Sequence, residues 1–139
     1  MFKVNKRMYE LLIEWAREQE RYKENYDFDE DDLNEIIEYG CNNQTWHYFV
    51  QLKQLQYDLN EIIEYEGKIV AELNREKHRW YDIVEVVKEF VVNGEQFYIV
   101  YNTYETHDEM MQKSDIDYDM DPSLCEKVDV IGYKYRRIE

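Results

Sequence analysis

The stretch VEVVKEFVVNGEQFYIVY (residues 84–101) decides the fold. Val84, Val86, Phe90 and Val92 alternate onto one side of an extended chain, and Asn93-Gly94 falls between two apolar runs. An Asn-Gly pair in that setting is the strongest short hairpin signal, because both central residues of a type I′ turn need positive φ. The turn then fixes the register. Phe90 faces Phe97, Lys88 faces Ile99 and Val86 faces Tyr101, which gives one mainly apolar face. A further strand is expected over residues 127–136, through Val128, Val130, Tyr133 and Tyr135. Its parity shifts between Val130 and Tyr133, so the spacing predicts a bulge at Gly132.

Upstream of the hairpin the apolar period is helical. Val4, Met8, Leu11, Trp15, Tyr22 and Tyr26 mark one helix over residues 4–25. Asp29 is placed to cap a second, with Glu30, Asp31 and Asp32 in its electrostatically favourable first turn and Gly40 as its stop. A third pattern begins near Thr45 and continues through Phe49, Leu52, Leu55, Leu59, Ile62, Ile69 and Leu73 to residue 78. Unbroken, it would be roughly 50 Å long, with Gly67 its weakest point. The octet DLNEIIEY occurs at residues 32–39 and again at 58–65, either as two copies of one amphipathic surface or as two matching acidic ridges. The expected class is α+β: an N-terminal helical hairpin or small bundle of three helices, one long, packed with a C-terminal three-stranded antiparallel sheet. One domain over residues 1–139 is expected, helical to residue 79 and β from 80 onward.

The net charge is −15, yet 44% of the residues are hydrophobic, including 14 Tyr, 5 Phe and 3 Trp. Disordered chains are usually poor in aromatic residues, so the acid is carried on a folded body. No apolar run is long enough to span a bilayer, and residues 1–17 show no signal-peptide pattern, so a cytoplasmic protein is expected. Cys41 and Cys125 have no CxxC neighbours and read as reduced thiols, a structural disulfide being the alternative.

Fourteen of the fifteen net negative charges lie in two stretches. Residues 26–40 hold Asp27, Asp29, Glu30, Asp31, Asp32, Glu35 and Glu38 with no Lys or Arg. Residues 105–126 hold Glu105, Asp108, Glu109, Asp115, Asp117, Asp119, Asp121 and Glu126 against Lys113 alone. Concentrated fields of one sign point to a basic partner. Asp31, Glu35 and Glu38 share a helix face by the three- and four-residue rule. Asp115, Asp117, Asp119 and Asp121, read as an extended loop, project on one side about every 6.6 Å, similar to the spacing of phosphates along a nucleic-acid strand. The alternative is a solubilising surface. Residues 115–126 also resemble a calcium loop of the EF-hand type, but Met120 stands where the turn needs glycine and a strand follows where a helix should. No cofactor is implied.

Catalytic signatures are missing: there is no GxSxG, Walker A loop, HExxH or GxGxxG, and His47, His78 and His107 are isolated. A non-catalytic role is expected. A basic nucleic-acid footprint is absent too, so direct nucleic-acid binding is not expected. Tyr98, Tyr101, Tyr104 and Tyr118 are candidates for core residues or interface anchors.

In size, acidity, lack of catalytic motifs and a residue usage that follows AT-rich coding, the chain resembles small phage-encoded inhibitors of the anti-CRISPR and DNA-mimic type. That resemblance implies stoichiometric inhibition, with acidic side chains occupying the nucleic-acid-binding surface of a Cas nuclease. Asp31, Glu35, Glu38, Glu105, Asp108, Glu109, Asp115, Asp117, Asp119 and Asp121 are the candidate contacts. Alternatives are an immunity protein for a basic nuclease toxin, and a structural phage protein. Self-association through the helices is a further expectation.

Overall fold

The hairpin forms in the register its turn dictates. Strands β2 (Tyr81–Val92) and β3 (Glu95–Thr106) pair antiparallel with Phe90 opposite Phe97, Lys88 opposite Ile99 and Val86 opposite Tyr101. Asn93 and Gly94 take φ of 53° and 78°, the positive values that a type I′ turn requires. The computed structural model describes residues 6–22, 30–41, 46–107, 116, 118–130 and 132–138. It divides the chain into two units, Met1–Tyr65 and Glu66–Glu139.

The first unit contains α1 (Lys6–Arg17), α2 (Glu30–Cys41) and α3 (Trp46–Tyr65). Met8, Leu12, Ala16, Leu52, Leu59, Ile62 and Ile63 are buried, each large one worth about 1.5–3 kcal/mol of removed apolar surface. α1 is shorter than the periodicity predicts. Bonds from Glu18 N–H to Trp15 O (3.1 Å) and Gln19 N–H to Ala16 O (3.0 Å) tighten its end into turns, although Trp15 and Tyr22 still meet at 5.9 Å. Residues 23–25 of the expected helix, and the proposed caps Asp29 and Thr45, lie outside the described residues.

Gly40 does not stop α2 but lies within it. A Cβ there would sit 2.8 Å from Leu52 Cβ and 2.9 Å from Tyr48 O, so glycine is needed for α2 to approach α3. Gly40→Ala is accordingly expected to cost about 1–3 kcal/mol through overpacking, measurable as a lower urea midpoint at unchanged slope.

The expected three-stranded sheet is corrected to five strands. β1 (Lys68–Lys77), β2, β3, β4 (Ser123–Val130) and β5 (Gly132–Arg137) run antiparallel in chain order and curl as a half-barrel. The α+β class stands; β1 occupies residues expected as helix, and the single strand expected over residues 127–136 is two strands, β4 and β5. α3 ends at Tyr65 and not near residue 78, because Gly67 takes φ of 74°, a left-handed conformation that closes helices. Ile69 and Leu73, four apart, imitate a helical stripe, but both are exposed on β1, which pairs with β2 through two register shifts. Bulges and charged side chains of this kind are typical of an edge strand. The parity change expected as a bulge at Gly132 is a chain reversal, with Val130 opposite Gly132 and Cys125 opposite Arg137.

Alternation gives the sheet two different faces. Val84, Val86, Lys88, Phe90 and Val92 of β2, with Phe97, Ile99 and Tyr101 of β3, are buried on one. Val87, Val100 and Cys125 cluster on the other beneath Tyr98 and Tyr135. Burial pushes the Cys125 thiol up to about 11, so it behaves as an inert core group. No described helix is long and apolar enough to cross a membrane.

Candidate interaction surface

α2 carries its acids on the side opposite its packing face. At about 100° per residue, Asp31, Glu35 and Glu38 fall within one narrow stripe, whereas Leu33 and Gly40 point the other way. The structure agrees: Leu33 and Gly40 are buried, and Asp31, Asp32, Glu35 and Glu38 are exposed. The helix itself contains no Lys or Arg. Tyr39 borders this ridge and packs at a tilt against Tyr48 of α3, ring centroids 5.3 Å apart. The Tyr48 hydroxyl donates to Glu35 Oε2 at 3.3 Å, and the negative charge of Glu35 pushes the phenol pKa upward. The octet that α2 shares with α3 turns Leu/Ile/Ile inward in both copies. Its three acids are exposed in the first copy and half-buried in the second.

Residues of the second acidic stretch are engaged differently. Glu105 accepts from Arg75 Nη1 at 2.7 Å, as does Asp82 Oδ2, and Arg75 Nη2 donates to Glu72 Oε1 at 2.5 Å. One guanidinium therefore ties β1, β2 and β3 together. It holds Asp82 and Glu105 below the usual carboxylate range, and they in turn raise the pKa of Arg75. His107 Nε2 lies 3.1 Å from Asp82 Oδ1. Depressed carboxylate pKa values contribute stability above the unfolded value near 4, and that stability is lost as pH falls through the folded values. Arg75→Met is therefore expected to lower the urea midpoint most at pH 6–7, the gap from the parent closing below about pH 4. Midpoints measured across that range check it.

Asp119 and Asp121 do not continue an extended row. Asp121 has φ of 40° and its N–H donates to Asp119 Oδ1 at 3.1 Å, a carboxylate-capped turn that leads through Pro122 into β4. The carbonyl of Asp119 accepts from Asn102 Nδ2 at 3.0 Å and that of Asp121 from Arg137 Nη1 at 3.2 Å. Glu126, the twelfth residue of the calcium-like stretch, is ion-paired with Arg136 across the β4–β5 ladder. Among the described residues, no group of three His, Cys, Asp or Glu is arranged to hold a metal ion. Asp108, Glu109, Asp115 and Asp117 lie outside the described residues.

The expected contacts thus fall into two sets on separate units: Asp31, Glu35 and Glu38 on the first, and Glu105, Asp119 and Asp121 on the second. Asp32, Tyr39 and Tyr48 join the first set. The repeated octet marks Asp32 and Tyr39, while nothing in the sequence announces Tyr48. Arg75 was missed for a plain reason, being 30 residues from Glu105. Tyr101 is a core residue, whereas Tyr98, Tyr104 and Tyr118 are partly exposed; Tyr98 pairs with Tyr135 and Tyr104 with Tyr118. No protein family, curated protein or solved structure matches the chain.

Proposed function

We propose that the chain is a non-catalytic inhibitor that occupies the basic nucleic-acid-binding surface of a nuclease, most directly a Cas effector, with α2 standing in for phosphates. The observation that carries this reading is the exposed ridge of Asp31, Glu35 and Glu38 on a helix that contains no Lys or Arg. At 1.5 Å per residue, Asp31, Glu35 and Glu38 follow one another at about 6.0 and 4.5 Å along the helix axis, a compact row of carboxylates. Tyr39 adds an aromatic surface at the edge of the ridge, suited to stack on an arginine that a carboxylate also engages.

α2, and not residues 105–126, is the surface this reading assigns to the partner. Glu105, Glu126 and Asp119 serve the sheet and its turns, and such charges are less available to an outside partner. Binding should be fast and salt-sensitive, because steering by exposed charge weakens as the Debye length shortens. Titration of the chain into a purified guide-loaded Cas9-type effector and, separately, a basic nuclease toxin tests the reading. A one-to-one complex with the effector that weakens with salt is expected. Binding to the toxin alone would reassign the chain to the immunity class, and binding to neither would overturn the proposal.

A further inference from the structure

A second surface lies on α3, independent of the α2 ridge. Trp46, Val50, Lys53, Tyr57, Asn60 and Glu64 are spaced four, three, four, three and four apart, the alternation that draws a straight seam along a helix. The inward residues Leu52, Leu55, Leu59, Ile62 and Ile63 occupy the opposite side. Along the seam Trp46 is 75% exposed, Val50 45% and Tyr57 63%, an unusual row of large apolar side chains on one helix. Its N-terminal end is already ordered: Trp46 stacks on Phe49 at 5.4 Å, and the Lys53 ammonium lies 5.6 Å from the Phe49 ring. A pre-positioned anchor loses little side-chain entropy on binding.

We propose that this seam pairs with the same seam of a second copy, the two α3 helices antiparallel. Charge decides both the occupant and the direction. A parallel pair would set Lys53 against the partner's Lys53 and Glu64 against the partner's Glu64. An antiparallel pair centred near residue 55 sets Lys53 over the partner's Tyr57, Val50 on the partner's Asn60 and Trp46 beside the partner's Glu64. Its flanks bring His47 to the partner's Glu61 and Gln54 to the partner's Gln54. Every layer is then an ammonium on an aromatic ring, a packing contact or a pair without like charges. The seam is self-complementary in one direction only.

With polar residues at half of its positions and a high net charge on each copy, the dimer is weak, with a Kd on the order of 10–100 μM. Sedimentation velocity from about 5 to about 500 μM is expected to show a reversible monomer–dimer equilibrium in that range. Trp46→Ala with Tyr57→Ala should weaken it at least ~10-fold at unchanged circular dichroism, whereas Trp80→Ala, another exposed aromatic, should leave it unaltered. Monomer at all concentrations, or a dimer indifferent to the seam variant, overturns the proposal. For direction, oxidised Gln54→Cys chains should form more covalent dimer than the parent, and Glu64→Cys chains should not. The reverse outcome overturns the antiparallel arrangement.

Discussion

Phe90→Ala is expected to destabilise the β unit by about 3–5 kcal/mol, the largest stability loss of any single truncation proposed for this chain. Phe90 is 2% exposed and stacks on Phe97, ring centroids 5.4 Å apart. Its ring also fills the space against Gly67: a Cβ there would lie 2.8 Å from the ring tip. Truncation therefore opens a cavity bounded by β2, β3 and the turn into β1. Gly67 has no side chain that could move into it. For a unit of this size each kcal/mol lowers the melting temperature by roughly 4–8 °C, so a fall on the order of 20 °C is expected in a thermal melt. Phe90→Leu should retain most of the stability, and truncation of the exposed Val91 should change it by less than about 0.5 kcal/mol.

The second large effect concerns binding. Reversing Asp31, Glu35 and Glu38 to Lys converts the ridge from anionic to cationic while leaving the buried Leu33 and Gly40 in place. Affinity for the basic partner is expected to fall at least ~1,000-fold, since three attractive contacts become repulsive and each is worth about 1–2 kcal/mol or more at a desolvated interface. Folding should survive, although basic side chains near the start of α2 oppose its dipole and Tyr48 loses the acceptor it has in Glu35. Reversal of Asp119 and Asp121 should weaken binding much less and disturb the turn before β4 more. Paired isotherms and melts for the two variants check both statements.

The hairpin was legible because its determinants are local: Asn93-Gly94 admits one turn type, and that turn fixes every cross-strand partner. β1 was not legible because Ile69 and Leu73 repeat at helical spacing. Only pairing to β2, which contacts distant in sequence decide, makes that segment extended. The β4–β5 reversal was hidden in the same way, since a parity slip marks a bulge and a turn alike. For the candidate surface, counting charges found both acidic stretches and the stripe of Asp31, Glu35 and Glu38. It gave no means of telling a carboxylate facing solvent from one facing Arg75, whose three acceptors lie 3, 7 and 30 residues away. The ion pairs of the second stretch, and not the charge count, separate the two.

Displacement of duplex DNA tests the central claim most directly. Labelled target duplex is bound to a purified guide-loaded effector, and the chain is added in increasing amounts at moderate salt. Release of the duplex at about one chain per effector, abolished by reversal of Asp31, Glu35 and Glu38, is the predicted result. Retention of the duplex at saturating chain, or release that the reversed chain achieves equally well, would contradict the assignment of α2 as the phosphate surrogate.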